Sequence, residues 1–247
     1  MSDRDPDARR TGWMAEGLTA AYRRGEAQHS PVFQRVLEHL GPERTVADIG
    51  AGVGRFAVPL ARAGCRVWAV EPSEEMLERL RQHLGEAGVE DQVVVVPGSW
   101  PSVDVPPVEV ALAGYVLQLA EDPVGFVAAL DRLATRRVVM ALHVDPIQIP
   151  EVVARWTGRP LVPPPQYAEL VPHIRAAGVE PEIEIVEEDH RPPWEDPDGV
   201  RRWLARLGVP PNAPEAAELE QALLAHAHGG PHHRRSAILS WTPRSRG

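Results

Sequence analysis

The sequence predicts an α/β fold: a doubly wound, mostly parallel sheet of seven strands with helices on both faces. Two observations predict it. Short apolar stretches alternate along the chain with segments in which apolar residues recur every three or four positions. The short stretches are apolar throughout, which is typical of parallel strands that are covered on both faces.

The predicted elements follow in a regular order. Helical periodicity over 17–40 predicts two helices, and Ser30 followed by Pro31 is an N-cap for the second of them. The predicted strands are 44–49, 66–70, 92–96, 108–112, 137–144, 182–187 and 236–242. The predicted helices after the first strand are 55–63, 74–84, 124–133, 167–177, 200–207 and 216–226. Strands and helices therefore alternate through the first half of the chain.

The length of 247 residues predicts one domain, 1–247. Within it, 1–43 form N-terminal helices in front of the sheet, and 44–145 form the core. Residues 146–247 contain a proline-rich helical insertion at about 192–230, between the last two strands. We expect the N-terminal helices and this insertion to form a lid.

The composition excludes several classes of function. The formal net charge of -9 disfavours nonspecific binding to nucleic acid or to anionic lipid. All 26 basic residues are arginines, so Schiff-base chemistry and a Walker-type phosphate lysine are excluded. Cys65 is the only cysteine, which excludes a cysteine-rich metal centre.

The hydropathy pattern predicts neither a membrane span nor a targeting segment. No apolar stretch approaches the roughly 18 residues that a membrane-spanning helix requires. The charged segment 1–10 has no apolar block behind it, unlike a secretory signal. We therefore expect a cytoplasmic protein with no membrane or nucleic-acid partner, as a monomer or a homodimer.

A glycine-rich turn joins the first strand to the next helix. Glycines allow the backbone to turn sharply and let a ligand approach the main-chain amides at the helix start. Glu71 ends the next strand, where a carboxylate is placed to accept hydrogen bonds from both hydroxyls of a ribose. The turn therefore predicts a nucleotide site. Its loop residues are Gly50, Ala51, Gly52 and Gly54.

The identity of the nucleotide depends on Asp48. The turn also fits the pattern G-x-G-x-x-A over 52–57, which is typical of dinucleotide sites that hold a pyrophosphate. A carboxylate two residues before the first glycine repels a pyrophosphate but suits a ligand with an ammonium and a sulfonium. An NAD(P)-dependent oxidoreductase stays open as an alternative.

These residues resemble the class I S-adenosylmethionine-dependent methyltransferases of the small-molecule type. The first motif of that family is an acidic residue followed by x-G-x-G-x-G, as in 48–54, and the second is similar to 71–76, Glu-Pro-Ser-Glu-Glu-Met. The resemblance covers about 46–144. It implies S-adenosylmethionine as cofactor, S-adenosylhomocysteine as product and a small organic acceptor, to which the acidic charge and the lid also point. A protein that binds this cofactor without catalysis is a further alternative.

The resemblance also implies roles for individual residues. Asp48 and the glycine loop would hold the methionine part of the cofactor, and Glu71 would hold the ribose. The residues that would line the adenine are Pro72, Met76, Ser99 and Trp100. An acidic residue is usual at the position of Ser99 and an Asp at that of Glu109. Ala113 and Gly114 would run under the transferable methyl group.

Catalysis of methyl transfer requires positioning and the exclusion of water rather than a protein nucleophile. His143 and Tyr115 lie at strand ends and are candidate bases if the acceptor loses a proton. Magnesium would require carboxylates after both the fourth and the fifth strand. Only Asp145 qualifies, so we predict no catalytic metal. Candidates for the lid and the acceptor pocket are Tyr22, His29, Trp156, Trp194 and Trp203, although packing roles explain them as well.

Overall fold

The structure is a computed structural model that describes residues 26–145, 165–189, 194, 196–206, 208–229 and 233–244. Its seven strands form one sheet in the order β3-β2-β1-β4-β5-β7-β6. Only β7 is antiparallel to its neighbours, β5 and β6. The strands are β1 (Thr45–Ile49), β2 (Arg66–Glu71), β3 (Val93–Pro97), β4 (Val108–Gly114), β5 (Ala134–His143), β6 (Glu182–Asp189) and β7 (His233–Trp241).

Helices cover both faces of the sheet. The helices among the described residues are α1 (Pro31–Glu38), α2 (Ala57–Arg62), α3 (Glu74–Ala87), α4 (Pro123–Leu133), α5 (Tyr167–Ala176), α6 (Pro197–Arg206) and α7 (Ala216–His228). One buried cluster joins α1, α2 and α3 to one face of the sheet, and a second joins α4 and α5 to the other face. Helices α6 and α7 share a separate small core. Burial on both faces explains why the central strands are apolar throughout.

The structure confirms the predicted fold class and every predicted element that lies within the described residues, with shifts of a few residues at the ends. The largest shifts, of three residues each, are at the starts of β5 (Ala134), β7 (His233) and α6 (Pro197) and at the end of α3 (Ala87). Helices α6 and α7 lie between β6 and β7, as expected of the insertion. Of the two predicted N-terminal helices, only α1 and the 3-10 turn Glu26–His29 fall within the described part. No helix in the described ranges is long and apolar enough to cross a membrane.

The strand order determines where a ligand can bind. The chain leaves β1 on the β2 side and returns later to β4 on the other side of β1, so the order reverses at β1. In open α/β sheets the crevice at such a reversal, beyond the carboxyl ends of the strands, is the ligand site. The glycine turn, Glu71 and Tyr115 all lie at these strand ends.

Glu109 has a structural role at the opposite end of the sheet. Its buried carboxylate accepts hydrogen bonds from the backbone amides of Gly41 (3.0 Å), Glu43 (3.2 Å) and Thr45 (3.4 Å). The carboxylate therefore anchors the segment that leads into β1.

We expect Glu109→Ala to lower the free energy of unfolding by about 2–3 kcal/mol, because it leaves these amides without their acceptor. Urea denaturation measures the change. Glu43→Ala is the control, because the Glu43 side chain is exposed and an effect within about 0.5 kcal/mol is expected there. Equal losses in the two variants would contradict the anchoring role of Glu109.

Candidate functional site

The glycine turn is held in a conformation that favours glycine. Gly50, Gly52 and Gly54 have φ angles of 77°, 55° and 90°, in the left-handed region. The amides of Gly50 and Ala51 both donate to the Val70 carbonyl of β2, at 2.9 Å. The turn is thus fixed to the neighbouring strand, which leaves little freedom to be lost when a ligand binds.

Side chains of helix α3 contact the same turn. His83 is buried, and its Nδ1 donates to the backbone carbonyl of Val53 over 2.8 Å. A Cβ on Gly54 would lie 2.7 Å from a methyl carbon of Leu80, so helix and turn are in close contact there. Sequence reasoning missed His83. Its only signal is that it lies on the buried face of the helix, with Leu80 and Leu84.

Glu71 is oriented by the turn that it faces. Its Oε2 accepts from the Gly52 amide and its Oε1 from the Ser73 amide, each over 2.9 Å. Burial raises the pKa of the carboxyl, and the two amides partly oppose that effect. A carboxylate has about four acceptor positions, so about two stay available for hydroxyl donors such as those of a ribose.

Asp48 is more deeply buried than Glu71, the other carboxylate of the site. Its side chain is 1% exposed, and its Oδ2 has no hydrogen-bond partner within the described part of the chain. Burial raises the pKa of Asp48 to about 7, the Ala57 amide lowers it, and the charge of Glu71 raises it further. A buried carboxylate without a partner for one oxygen is costly unless a cation or a donor arrives. This orphaned oxygen fits a cationic ligand.

The end of β4 packs closely against the residue that precedes α2. A Cβ on Gly114 would lie 2.6 Å from the ring of Phe56, so only glycine lets this strand end pack against the start of α2. Ala113 is fully buried. Tyr115 follows with φ 60°, an unusual conformation for a tyrosine, and its amide donates to the Ala141 carbonyl over 2.9 Å.

Tyr115 and His143, the two candidate bases, are in contact. Their rings stack with centroids 4.2 Å apart. The Tyr115 hydroxyl lies 2.9 Å from Glu188 Oε2, to which it donates, and 3.1 Å from Ser236 Oγ. Burial and the charge of Glu188 raise the pKa of Tyr115 far above its ordinary value. Tyr115 therefore stays a neutral donor, which disfavours it as a base and leaves His143 as the better candidate.

The part of the chain that carries this site is similar to a known protein family. Residues 47–142 match the family model of a methyltransferase domain. The chain therefore contains a region, residues 47–142, that is similar to methyltransferase domains. The matched range runs from β1 to the end of β5 and includes the glycine turn, Glu71 and Gly114. The match confirms the methyltransferase resemblance that the sequence indicated.

Individual relatives resemble this chain at a distance. An uncharacterized protein of Haemophilus influenzae is 30% identical over 147 residues, which is 59% of this chain and 54% of that protein. A ubiquinone biosynthesis O-methyltransferase of Methylocella silvestris is 33% identical over 82 residues, 33% of this chain and 32% of that one. The matches thus span about half or less of these relatives.

A solved structure extends the likeness to most of the fold. An S-adenosylmethionine-dependent methyltransferase of Geobacter sulfurreducens, in complex with S-adenosyl-L-homocysteine, has a TM-score of 0.56 and 18% identity. The superposition covers 88% of this chain and 92% of that chain. At this identity the likeness shows a shared fold, including the strands beyond the matched family range.

The residues predicted to line the adenine lie at the ends of β2 and β3. Pro72 is exposed directly after β2, and Met76 is buried in the first turn of α3. Ser99 is exposed, and the half-buried Trp100 donates from Nε1 to the Phe126 carbonyl over 3.3 Å. Their contact with adenine stays a prediction.

The predicted lid and pocket residues divide into two groups. Tyr22 and Trp156 lie outside the described residues, and His29 is exposed at the end of a 3-10 turn. Trp194 and Trp203 are both 3% exposed, with ring centroids 4.7 Å apart, in the small core shared with α6 and α7. This packing fits the alternative that both tryptophans fill a core. An acceptor contact for them stays a prediction.

Proposed function

We propose that this protein binds S-adenosylmethionine at the glycine turn and transfers its methyl group to a small organic acceptor without a metal. The observation that carries the proposal is the pair of buried carboxylates, Asp48 and Glu71, on either side of that turn. One of them has an oxygen without a partner among the described residues, and the other has acceptor positions left for hydroxyls.

The same pair disfavours a dinucleotide. The charge of Glu71 already raises the pKa of Asp48, and a pyrophosphate would add two further negative charges at the turn. A ligand with an ammonium and a sulfonium instead neutralises them. The oxidoreductase alternative therefore requires an unfavourable clustering of negative charge that the methyltransferase proposal avoids.

The bound cofactor supplies an electrophilic methyl group on a positively charged sulfur. The chain would supply orientation: the turn amides and Asp48 would hold the amino-acid part, and Glu71 would hold the ribose. In-line displacement needs the acceptor atom about 3–3.5 Å from the methyl carbon, with water excluded. His143 is placed to accept a proton from an acceptor that loses one.

Support for a small acceptor comes from charge and from one relative. The net charge of -9 disfavours a nucleic-acid acceptor, and one relative is named for ubiquinone biosynthesis. In this proposal the insertion with α6 and α7 covers the acceptor site. A cytoplasmic location and a monomer or homodimer belong to the same proposal.

Calorimetry with S-adenosylhomocysteine and with NAD⁺ tests the cofactor assignment. We expect saturable binding of S-adenosylhomocysteine and none of NAD⁺ under the same conditions. Binding of NAD⁺ alone would contradict the proposal in favour of the oxidoreductase. Release of S-adenosylhomocysteine from S-adenosylmethionine, assayed with a panel of small alcohols, amines and acids in the presence of EDTA, then tests catalysis. Cofactor binding without release for any acceptor would favour a non-catalytic binding protein.

A further inference from the structure

A cluster of polar side chains lies beside the proposed cofactor site. It is on the side of the sheet that contains β4, β5, β7 and β6, across β1 from β2 and β3. We call it the acceptor-side cluster. Tyr115 and Arg55 each directly follow a glycine of the cofactor site, Gly114 and Gly54, so the cluster begins where the cofactor site ends. Its members are Arg55, Tyr115, His143, Glu188, Arg234 and Ser236.

Strand register brings the cluster together on one face of the sheet. His143 of β5 pairs with Ser236 of β7, and Arg234 of β7 pairs with Glu188 of β6. Residues two apart on a strand share a face, so Arg234 and Ser236 point to the same side. This is the face that carries α2, and Arg55 at the start of that helix has its guanidinium carbon 5.5 Å from the centre of the Tyr115 ring.

Arg234 is a buried cation whose charge is poorly compensated. It is 8% exposed, and among the described residues its Nε and Nη2 donate only to the backbone carbonyl of Asp145, each over 3.3 Å. No carboxylate of the described residues forms a salt bridge with it. Burial lowers the pKa of Arg234 to about 10, although Tyr115, Asp145 and Glu188 oppose this effect. A buried guanidinium ordinarily has a carboxylate partner.

Arg55 adds a second positive charge to the cluster. Its Nε is buried and has no hydrogen-bond partner within the described ranges. Its guanidinium lies over the rings of Phe56 and Tyr115, at 5.2 and 5.5 Å from their centroids. The charge of Arg55 also lowers the pKa of Arg234, so the two guanidiniums are close enough to repel each other.

The charges of the cluster do not balance. Glu188 is its one carboxylate within the part of the chain that the structure describes, and this group already accepts a hydrogen bond from the Tyr115 hydroxyl. Asp145 is committed elsewhere, because its side chain pairs with the exposed Arg235 over 2.5 Å. Two guanidiniums facing one carboxylate leave a net charge of about +1, which one carboxylate of a ligand neutralises and a phosphate dianion exceeds.

We propose that the acceptor carries a carboxylate, and that Arg234, assisted by Arg55, binds it on the far side of the cofactor's methyl group. This inference rests on the proposed function and specifies its acceptor class. Arg234 binds the group that orients the acceptor, and Tyr115 and His143 form the aromatic wall beside it. A neutral analogue of the same shape leaves both guanidiniums unpaired and binds more weakly.

The test measures probe binding to protein saturated with S-adenosylhomocysteine. Benzoate, cinnamate and hexanoate are each compared with their primary amides by saturation-transfer NMR titration. We expect at least one carboxylate to bind ten times or more tightly than its amide. Arg234→Gln is expected to remove this preference while the Kd for S-adenosylhomocysteine stays within about twofold.

Arg235→Gln is the matched control. Arg235 is the next residue on β7, points to the other side of the strand and is exposed, so this variant is expected to keep the preference for carboxylates. The inference is overturned if no carboxylate binds better than its amide, or if the two variants behave alike. Failure to bind S-adenosylhomocysteine in the unaltered protein would instead refute the proposed function.

Discussion

Replacing Asp48 with asparagine is expected to stabilise the free protein above pH 7 and to weaken its binding of S-adenosylhomocysteine. Burial raises the pKa of Asp48 from 3.8 to about 7. Ionising this buried group in the folded protein therefore costs up to about 4 kcal/mol, at about 1.4 kcal/mol for each pH unit. Asparagine keeps the shape, avoids that cost and loses the attraction for the ligand's ammonium.

The sign of the pH dependence follows from the direction of this shift. Between about pH 4 and pH 7 the unfolded chain has lost the Asp48 proton and the folded chain still holds it. The free energy of unfolding therefore falls as the pH rises through that window. Above pH 7 Asp48 causes no further change with pH, and the whole of this loss remains. Thermal denaturation of Asp48→Asn at pH 5 and pH 8 measures the difference, and the gain in stability is expected at pH 8.

Ligand binding is expected to depend on pH in the opposite sense. Because the ammonium prefers an ionised Asp48, S-adenosylhomocysteine should bind about tenfold more weakly at pH 6 than at pH 8. Asp48→Asn should bind at least tenfold more weakly at pH 8 and lose most of that pH dependence. Calorimetry at both pH values checks this, with Glu74→Gln, which removes an exposed carboxylate in the first turn of α3 and retains Asp48, as the control. The same pH profile in Asp48→Asn as in the unaltered protein would contradict the role of Asp48.

Glu71→Ala is expected to weaken the binding of S-adenosylhomocysteine by more than tenfold, which corresponds to about 1.4 kcal/mol or more. Two effects contribute: the acceptors for the ribose hydroxyls are lost, and the amides of Gly52 and Ser73 lose the carboxylate that orients the turn. Calorimetry gives the affinity, and circular dichroism verifies that the variant is folded.

Glu74→Ala is the matched control for this variant. Glu74 lies three residues further along, in the first turn of α3, and its exposed carboxylate pairs with Arg81 over 2.9 Å. It carries the same charge in the same region, so a general electrostatic effect would appear in both variants. Unchanged affinity in Glu71→Ala, or equal losses in the two variants, would remove Glu71 from the site.

Local sequence was sufficient for most of the fold and for half of the site. Unbroken apolar runs predict strands covered on both faces, and the glycines at 50, 52 and 54 predict a turn that only positive φ angles permit. The carboxylates of Asp48 and Glu71 were recognisable because both lie at the carboxyl ends of strands, Asp48 one residue before the end of β1 and Glu71 at the end of β2.

Contacts between distant segments could not be predicted in this way. His83 supports the turn from 30 residues away, and Glu109 anchors a loop that precedes it by 66 residues or more. The Tyr115 hydroxyl meets Ser236 across 121 residues of sequence. Such pairs depend on which strands become neighbours, and no periodicity or motif in either partner indicates the other.

The sequence by itself determined the α/β class, the order of the elements and the carboxylates at the first two strand ends, because these depend on periodicity and on neighbours along the chain. Only the tertiary structure decided that Arg234 is a buried cation and Arg235 an exposed one. Adjacent arginines are equivalent in a sequence. The pairing of β7 between β5 and β6 turns one toward the polar cluster and the other toward solvent.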